Sequence, residues 1–366
     1  MHLLAVEPYY GSSHRAFLDA IVGRSRHDWT LITGAPRHWK WRMRCSPLTL
    51  ADQTRARLNQ VQRQVDLVFC TDMLDLPQWR GLLSDNQWIH PSCPALVYFH
   101  ENQWTYPTAP EAREDFHYGY TNLLTTIAAN AVWFNSRFHQ ESFLKASEQF
   151  LKRMPDSVQE HDLASVRSKS KVIPAGFEPI ASPANINQRD QDDAIVLGWV
   201  ARWEADKRPD RFLKLLTILE QQNVSFELVL LGARPKRENK SLQQIRDRYS
   251  RQIRHDGFSE HEHGRWLAET DCVVSTADHE FFGIAVCEAI WAGAIPILPN
   301  RLSYPELASA EYLYDSLSEA ATLIATISKE TASQRRERSN AASRRVADYR
   351  MSELVPKIDR ELETLL

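Results

Sequence analysis

Short apolar runs alternate with helix-like segments along almost the whole first half of the chain. The runs predict strands over residues 3–6, 29–32, 67–69, 96–99, 132–134 and 172–173, and helix-like segments such as 16–24 and 120–129 lie between several of them. Near-continuous apolar strands that alternate with helices are typical of a parallel sheet covered on both faces. The first half is therefore predicted to be a doubly wound α/β domain.

The composition changes after residue 179. Residues 180–193 contain Asp, Asn and Gln without periodicity, which is typical of a linker. Apolar runs resume over 195–200, 226–231, 272–274 and 295–298, and from about residue 317 the pattern is mainly helical. We predict a first domain over 1–178, a linker over 179–194 and a second Rossmann-like domain over 195–366, whose last helix could cross back to the first domain. Because open α/β sheets bind ligands at the carboxyl ends of their strands, we expect the chemistry in a cleft across which the two sheets face.

Composition narrows the class of protein. A chain of 366 residues is long enough for two domains, and a net charge of −3 gives no overall attraction for nucleic acid. Five scattered cysteines without a C-x-x-C pair argue against a disulfide framework or a zinc site and favour the cytoplasm. The first apolar run ends at Glu7, too early for a signal peptide, and no apolar stretch is long enough to span a membrane.

The strongest chemical signal is the segment 279–289, His-Glu-Phe-Phe-Gly-Ile-Ala-Val-Cys-Glu-Ala. Gly283 lets a ligand approach the backbone, and the unpaired amides of the following helical turn suit a diphosphate. Glu280 precedes this helix and Glu288 lies within it, so the two carboxylates can contact different ends of one extended ligand. The candidate donor-binding residues of this segment are Phe281, Phe282, Gly283, Ile284 and Glu288. The alternative is that the two carboxylates lie on a solvated helix face.

A second signal directly follows the first strand of the second domain, where segment 198–209 contains Arg202 and Lys207. A departing nucleoside diphosphate gains negative charge, and fixed cations can stabilise that charge in place of a metal ion. Asp190 and Asp192 have the spacing of a metal-binding pair but lie in the predicted linker, so we expect no bound metal. The alternative for this segment is a surface loop with ordinary charges.

Two polar segments of the first domain also follow predicted strands. Gly11, Ser12 and His14 come after the first strand and open a helix, a position that also fits a plain strand-to-helix turn. His100 comes directly after the strand 96–99 and is followed by Glu101 and Asn102. Polar residues at such a position usually face a cleft, although a structural histidine at the end of a strand is the alternative.

A basic segment lies between Trp29 and Ala51, a range that contains no carboxylate. Four cations alternate there with two tryptophans: Arg37, Trp39, Lys40, Trp41, Arg42 and Arg44. Cations for phosphates and aromatic faces for unstacked bases are what single-stranded RNA recognition requires. The alternatives are a basic loop whose tryptophans pack on the domain and a loop that binds a smaller anionic acceptor.

The spacing of Glu280 and Glu288 matches the E-x7-E motif of retaining transferases with the GT-B fold, and the whole segment resembles glycosyltransferase family 4. The resemblance implies that Glu288 binds the nucleotide ribose hydroxyls and that Glu280 binds a hydroxyl of the donor sugar. Arg202 and Lys207 look like the cations of the family's G-R-x4-K pattern. A front-face attack is also implied, in which the leaving phosphate takes the proton of the acceptor and no metal or protein nucleophile is needed.

The same resemblance gives roles to the first domain. In GT-B enzymes the loop at Gly11, Ser12 and His14 touches the donor phosphate and the acceptor. Family 4 enzymes often have a histidine near the donor sugar and the acceptor hydroxyl, at the position of His100. The chain is therefore expected to be α/β, with two Rossmann-like doubly wound domains that face each other across a cleft and with C-terminal helices.

A narrower resemblance rests on five segments, 7–14, 39–44, 100–103, 115–122 and 134–139, which are similar to the tRNA-queuosine α-mannosyltransferase family. It implies GDP-mannose as the donor substrate, no further cofactor, and a queuosine-containing tRNA as the acceptor partner. The candidate acceptor-binding residues are His14, Trp39, Lys40, Trp41, Arg42, Arg44, Glu101, Asn102 and Tyr118. One departure is Ala175, where family 4 commonly has Asn.

Two other functions fit parts of the sequence. A transferase that acts on a lipid, a saccharide or a small glycoside would share the donor residues but would lack salt-sensitive RNA binding. A non-catalytic protein that binds sugar nucleotides or RNA would use the same scaffold, and the presence of Arg202, Lys207, Glu280 and Glu288 argues against it. An NAD-dependent oxidoreductase is disfavoured because no dinucleotide-binding glycine motif is present.

Overall fold

The computed structural model describes residues 1–107, 115–155, 160–180, 193–234, 239–258 and 260–366, so most of the predicted linker lies outside the described residues. The chain divides into two compact units. The first consists of Met1–Ala175 and Met351–Leu366, and the second consists of Gly176–Arg350. The C-terminal boundary thus differs from the predicted second domain over 195–366, since the last 16 residues belong to the first unit.

The first unit contains a wholly parallel sheet of six strands in the order β2-β1-β3-β4-β5-β6. The strands are β1 (His2–Glu7), β2 (Asp28–Thr33), β3 (Leu67–Thr71), β4 (Ala95–Phe99), β5 (Ala131–Phe134) and β6 (Ser170–Val172). The helices between them are α1 (Ser12–Arg24), α2 (Trp39–Val61), α3 (Leu76–Leu82), α4 (Phe116–Ala128), α5 (Arg137–Leu151) and α6 (Glu160–Ser168). All six predicted strands are confirmed to within two residues at either end.

Both faces of this sheet are covered, as the near-continuous apolar strands predict. Successive side chains of a strand point to opposite faces. In β1, Leu4 and Val6 therefore pack with residues of α2 and α3, whereas Leu3 packs with residues of α1. The polar residues that follow the strands are left at the carboxyl edge of the sheet.

Residues 39–44 of the basic segment form the start of helix α2, whereas the alternative interpretations of this segment assumed a loop. It begins at Trp39, directly after His38, whose φ of 54° is in the left-handed region, and it runs for 23 residues. Pro47 lies inside it. Its first turn contains no acidic residue, and no regular apolar repeat in the sequence indicates a helix there. The cations and tryptophans from Trp39 to Arg44 are consequently distributed around two helical turns instead of along an extended loop, whereas Arg37 precedes the helix.

The second unit contains another parallel sheet, in the order β12-β11-β10-β7-β8-β9. The strands are β7 (Ile195–Val200), β8 (Phe226–Leu231), β9 (Ile253–Gly257), β10 (Cys272–Val274), β11 (Ile295–Pro299) and β12 (Leu313–Tyr314). The helices are α7 (Pro209–Gln221), α8 (Lys240–Arg248), α9 (His263–Ala268), α10 (Ile284–Trp291), α11 (Tyr304–Leu307), α12 (Leu317–Ser328) and α13 (Ala332–Val346). The four predicted strands of this half are confirmed, while β9 and β12 at the sheet edges were not predicted.

The last helix, α14 (Met351–Glu363), returns to the first unit. Its apolar residues recur at helical spacing and pack in the same cluster as Leu3 and Phe17: Met351, Leu354, Val355, Ile358 and Leu362. The buried carboxylate of Asp359 accepts hydrogen bonds from the Ser25 hydroxyl at 2.6 Å and from the backbone N–H of Arg26 at 2.9 Å. These contacts fix α14 against the residues that directly follow α1.

Candidate active site

Three buried side chains meet at the carboxyl edge of the first sheet. Glu7 ends β1, His100 directly follows β4, and His14 lies in the first turn of α1. The Nδ1–H of His14 donates to Oε2 of Glu7 at 3.0 Å, and the His14 ring stacks on the His100 ring with 4.0 Å between centroids. The structure thus brings together two residues that the sequence predicted and adds Glu7, which sequence reasoning missed.

The two histidines differ in charge. Burial by itself would lower the pKa of His14, but the charge of Glu7 and its hydrogen bond outweigh burial and raise that pKa to about 9. Burial, together with the nearby charge of His14, lowers the pKa of His100 well below its usual value. His14 is therefore a cation at neutral pH, and His100 is a neutral ring with one donor and one acceptor nitrogen.

The same three residues, among those that the structure describes, have ligand atoms within 4.8 Å of one another, as in a metal site. However, stacked imidazoles direct their ring lone pairs side by side and not at one point. The Nδ1–H of His14 is moreover engaged by Glu7. We therefore interpret the group as a hydrogen-bonded charge pair beside a neutral ring.

Asp72, a further residue that the sequence did not predict, directly follows β3 and is fully buried. Its Oδ1 accepts a hydrogen bond from the backbone N–H of His100 at 2.9 Å. Burial raises the pKa of this carboxyl well above its usual value. An acidic residue directly after a buried apolar strand is the signal that could have identified both Asp72 and Glu7.

The start of α1 has a constrained backbone. Gly11 precedes the helix, and a Cβ at this position would lie only 2.3 Å from Cβ of Pro36, so only glycine fits. Ser12 has a left-handed φ of 46° and an exposed side chain. The structure therefore places both candidates at the N-terminus of a 13-residue helix, where amides without intrahelical partners favour an anion.

Asn102 organises the turn that follows His100. Its Oδ1 accepts hydrogen bonds from the backbone N–H groups of Trp104 at 3.2 Å and Thr105 at 3.1 Å. The neighbouring Glu101 is half-buried and accepts a hydrogen bond from Nε2 of Gln103 at 3.1 Å. Glu101 and Asn102 thus lie next to the histidine pair, as their sequence position predicts.

In the second unit, the buried Lys207 forms an ion pair with the half-buried Glu280. The Lys207 ammonium donates to the backbone carbonyl of His279 at 2.7 Å and to Oε2 of Glu280 at 3.2 Å. Asp206 lies 3.2 Å from the same ammonium. Burial would lower the pKa of Lys207, but the charges of Glu280 and Asp206 outweigh it and raise the pKa. The lysine is therefore a fixed cation whose three donors are already oriented.

Arg202 has a different environment. Its side chain is 61% exposed, and its Nη2 lies 3.7 Å from Oε2 of Glu204. It follows β7 in the same loop as Lys207, so both predicted cations extend from the carboxyl end of one central strand. An exposed guanidinium has the geometry for a bidentate phosphate contact.

The segment that ends in α10 has the local structure expected of a diphosphate site. Gly283 precedes the helix with a φ of 105°, which a side chain would disfavour, and a Cβ there would lie 3.1 Å from Leu307. Phe281 and Phe282 are both buried and hold the segment against the domain. The backbone amides that begin with Ile284 are consequently presented at a fixed helix N-terminus.

Glu288 lies within α10, and its Oε2 is 3.6 Å from Nε2 of His263. His263 begins α9 and was missed by sequence reasoning, because nothing in its neighbourhood links residue 263 to residue 288. The exposed ring of Phe258 lies 5.3 Å from the ring of His263. Glu288 is thus held by a histidine beside an exposed aromatic ring.

The first turns of α2 carry the predicted basic and aromatic residues. Trp39 packs edge-on against Tyr118 of α4 at 5.2 Å. The Lys40 ammonium and the Arg44 guanidinium lie over the Tyr118 ring, at 5.9 Å and 4.9 Å from its centroid. Trp41, in contrast, is 62% exposed. We call Trp39, Lys40, Trp41, Arg44 and Tyr118 the α2 surface.

The other two basic residues behave differently. Arg37 lies before the helix and is exposed, whereas Arg42 is half-buried. The Nε of Arg42 is buried and has no hydrogen-bond partner among the described residues. Of the four predicted cations, Arg42 is therefore the least accessible to a large acceptor.

Comparison with known proteins assigns the chain to a family. A family model described as "tRNA-queuosine alpha-mannosyltransferase N-terminal" matches residues 2–177, and one described as "Glycosyl transferases group 1" matches residues 183–344. The chain is 32% identical over 324 residues to the tRNA-queuosine alpha-mannosyltransferase of Drosophila melanogaster, which covers 86% of this chain and 84% of the relative. The chain belongs to the tRNA-queuosine alpha-mannosyltransferase family. Both the resemblance noted in the sequence and the assignment as a hexosyltransferase are thereby confirmed.

Solved structures show the fold of this tRNA-queuosine alpha-mannosyltransferase family member. HepE of Anabaena, in complex with UDP, superposes with a TM-score of 0.68 at 17% identity, covering all of both chains. Sucrose-phosphate synthase of Thermosynechococcus elongatus superposes with a TM-score of 0.72 at 15% identity, covering 100% of this chain and 99% of the other. The predicted GT-B class with two Rossmann-like domains is thus confirmed. No helix in the described part of the chain is both long and apolar enough to cross a membrane.

Proposed function

We propose that this chain transfers mannose from GDP-mannose to the queuosine nucleoside of tRNA, with retention of configuration and without a metal ion. The observation that carries the proposal is the 32% identity over 324 residues to the Drosophila tRNA-queuosine alpha-mannosyltransferase, whose name states the sugar and the acceptor. The arrangement of charges in each unit supports it further.

The second unit supplies the donor site. Arg202 and the fixed ammonium of Lys207 stabilise the diphosphate as it departs, together with the amides at the start of α10. Glu280 binds a sugar hydroxyl, and Glu288 binds the ribose hydroxyls. Because these protein cations and amides neutralise the leaving group, the reaction needs no divalent ion.

The transfer step is a substitution at the anomeric carbon of mannose. The acceptor oxygen forms a bond to that carbon on the face from which the diphosphate leaves. The breaking C–O bond gives its electron pair to the diphosphate oxygen, which takes the hydroxyl proton of the acceptor. The neutral His100 orients the reacting hydroxyls, and its low pKa supports this role because a cation there would repel a developing positive charge on the sugar.

The first unit supplies the tRNA site. The exposed cations of the α2 surface contact phosphates, and the exposed Trp41 stacks on an unpaired base. A tRNA acceptor also implies work in the cytoplasm. All five cysteines are buried free thiols, which supports a reducing compartment.

Two experiments test the donor and the absence of a metal. In a thermal-shift panel, GDP and GDP-mannose should raise the melting temperature more than UDP or ADP, since a ligand at 100 times its Kd stabilises by about 2.7 kcal/mol. Treatment with EDTA should leave transfer intact. Equal shifts for all nucleotides would reject the guanine donor, and activity lost to EDTA but restored by Mg²⁺ or Mn²⁺ would reject the metal-free mechanism.

A further inference from the structure

Several buried polar atoms at the carboxyl edge of the first sheet have no hydrogen-bond partner among the described residues. They include Oγ1 of Thr71, Oδ2 of Asp72, Nε2 of His100 and Nδ2 of Asn102. Asp72 and Asn102 are fully buried, and His100 is 8% exposed. Because an unpaired buried polar atom costs free energy, native structures rarely keep one without a reason. The last three, which follow β3 and β4, point to a polar ligand.

Hydrogen bonds hold Asp72 so that only one oxygen of its carboxyl group has no hydrogen-bond partner among the described residues. Its backbone N–H donates to the carbonyl of Tyr98 at 3.0 Å, and its own carbonyl accepts from Nδ2 of Asn122 at 2.7 Å. Its Oδ1 accepts from the N–H of His100 at 2.9 Å. The remaining oxygen, Oδ2, is therefore fixed in advance of any ligand, as in a preorganised site.

The neighbouring side chains are fixed in the same way. The His100 ring is stacked on His14 and lies edge-on to Phe17 at 5.1 Å and to Tyr98 at 4.8 Å. The Oδ1 of Asn102 accepts from Trp104 and Thr105, which leaves its Nδ2 as the group without a partner. Packing and hydrogen bonds thus fix the positions of both side chains. Nε2 of His100 and Nδ2 of Asn102 are left without a hydrogen-bond partner among the described residues.

The chemistry of these atoms selects a ligand class. A carboxyl oxygen accepts hydrogen bonds and donates one when the group is protonated, an amide NH₂ only donates them, and a neutral imidazole nitrogen does one or the other. A hydroxyl can pair with each of these groups, whereas a phosphate would be repelled by the nearby carboxylates of Glu7 and Glu101. Burial and these two charges also raise the pKa of Asp72. The set suits two neighbouring hydroxyl groups of one ligand.

We propose that Asp72 and Asn102, beside His100, bind a pair of neighbouring hydroxyl groups on the acceptor, with Oδ2 of Asp72 hydrogen-bonded to one of them. The assignment rests on the transfer to tRNA proposed above. The acceptor is chosen over the donor because these residues lie in the first unit, which also carries the α2 surface, whereas most of the candidate donor residues lie in the second unit.

The test compares Asp72→Asn with the wild-type chain in three measurements. Transfer of mannose to queuosine-containing tRNA should fall roughly 10- to 100-fold, the effect of one lost hydrogen bond to a charged group. Affinity for GDP-mannose and its hydrolysis by water without tRNA should be unchanged. The melting temperature should stay the same or rise, because the variant removes a buried carboxylate and Asn still accepts from the His100 N–H.

Asp75→Asn is the matched control. The Asp75 carboxylate lies three residues away and is fully engaged by Gln78, at 3.1 Å from its N–H and 2.7 Å from its Nε2. Asp75 precedes α3 as its N-cap, a position where Asn serves as well as Asp, so transfer and stability should both be retained. Should Asp72→Asn not fold, Asn102→Asp keeps the acceptor oxygens of the turn, replaces the donor amide, and should show the same selective loss of transfer.

Each outcome decides the proposal. Selective loss of transfer at unchanged stability supports the acceptor site. Wild-type transfer in Asp72→Asn overturns it, as does a parallel loss of GDP-mannose hydrolysis, which would assign the carboxylate to the donor. A lower melting temperature with unchanged hydrolysis and transfer would assign Asp72 a structural role only. Failure of the wild-type chain to label tRNA would instead overturn the proposed function itself.

Discussion

The imidazole of His14 lies face to face with that of His100, with 4.0 Å between ring centroids and 29° between ring planes. One ring is charged and the other is neutral, because the buried Glu7 carboxylate holds a proton on His14 and that charge disfavours a second proton on His100. The pair therefore sets the protonation state of the residue expected to orient the reacting hydroxyls.

The charge pair predicts how stability depends on pH. The pKa of His14 is raised to about 9 in the folded chain, so its contribution is complete below the unfolded value near 6.5 and is lost as the pH rises through 9. The loss amounts to about 3 kcal/mol at most. His14→Gln removes this titration, although Asp72, Glu101 and His100 still surround the site.

Denaturant unfolding between pH 6 and pH 10 measures this effect. The free energy of unfolding should fall more steeply with pH in the wild-type chain than in His14→Gln. Comparison with the variant also removes the contribution of other groups that titrate near pH 10. Parallel curves for the two proteins would mean that Glu7 and His14 are not an ion pair.

Arg202→Ala should weaken use of the donor severely. The exposed guanidinium follows β7 and lies 3.7 Å from Oε2 of Glu204, and removal of one charge-assisted contact to the leaving group costs about 2–4 kcal/mol in the transition state. Steady-state kcat/KM for GDP-mannose measures the loss. Arg248→Ala is the control, since Arg248 is 48% exposed and also pairs with a glutamate, Glu220, but lies on α8. Equal activities of the two variants would remove Arg202 from the donor site.

Trp41→Ala should lower tRNA affinity by about 1–3 kcal/mol if the indole stacks on an unpaired base. The indole is 62% exposed, and Leu48, on the same helix and 60% exposed, offers a matched control in Leu48→Ala. A filter-binding or anisotropy titration with tRNA should separate the two variants, while GDP-mannose binding is unchanged in both. Similar affinities would show that the exposed indole has another role.

Arg44→Ala tests the phosphate contacts of the same surface. The guanidinium stacks on Tyr118 at 4.9 Å, which holds it outward at low cost in side-chain entropy. Single-strand contacts give a slope of log K against log salt of about −0.7 for each neutralised phosphate, so this variant should flatten the slope by roughly one contact. A slope identical to that of the wild-type chain would exclude Arg44 from the RNA interface.

Gly119→Ala should destabilise the turn beside the acceptor site. A Cβ at residue 119 would lie 2.3 Å from the Trp104 ring, and such overpacking costs about 1–3 kcal/mol. Gly23→Ala is the control, because it lies inside α1 with no atom within 4 Å of the new methyl and should gain about 0.5–1 kcal/mol. The free energies of unfolding of the two variants are measured in urea, and equal values would contradict the structure.

Much of the fold follows from local pattern, and the exceptions have physical causes. Buried strands such as β8 are continuous apolar runs, whereas β9 reads Ile-Arg-His-Asp-Gly because it lies at a sheet edge and is only half-buried. The start of α2 was not recognised as helical because its first turns have no carboxylate cap and no regular apolar face. The sequence allowed the last helix to cross back to the first domain, but the boundary at Met351 depends on contacts with residues more than 300 positions away, which periodicity does not encode.

The residues of the candidate site also fall into two groups, those that the local sequence indicates and those that it does not. Lys207, Glu280 and Gly283 were predictable because each belongs to a short segment whose spacing carries the chemistry. Glu7, Asp72 and His263 were not, because their roles appear only when the carboxyl ends of separate strands and helices converge. Glu7 and Asp72 are indicated in the sequence only by the weaker signal of an acidic residue directly after a buried apolar run, and His263 has no such signal.

The most direct test of the central claim incubates the purified chain and labelled GDP-mannose with two tRNA preparations, one with queuosine and one without it. The account predicts label on the queuosine-containing tRNA alone, in the presence of EDTA as well as in its absence. Label on both tRNAs, or on neither while GDP-mannose is bound and hydrolysed, would contradict the assignment of queuosine as the acceptor.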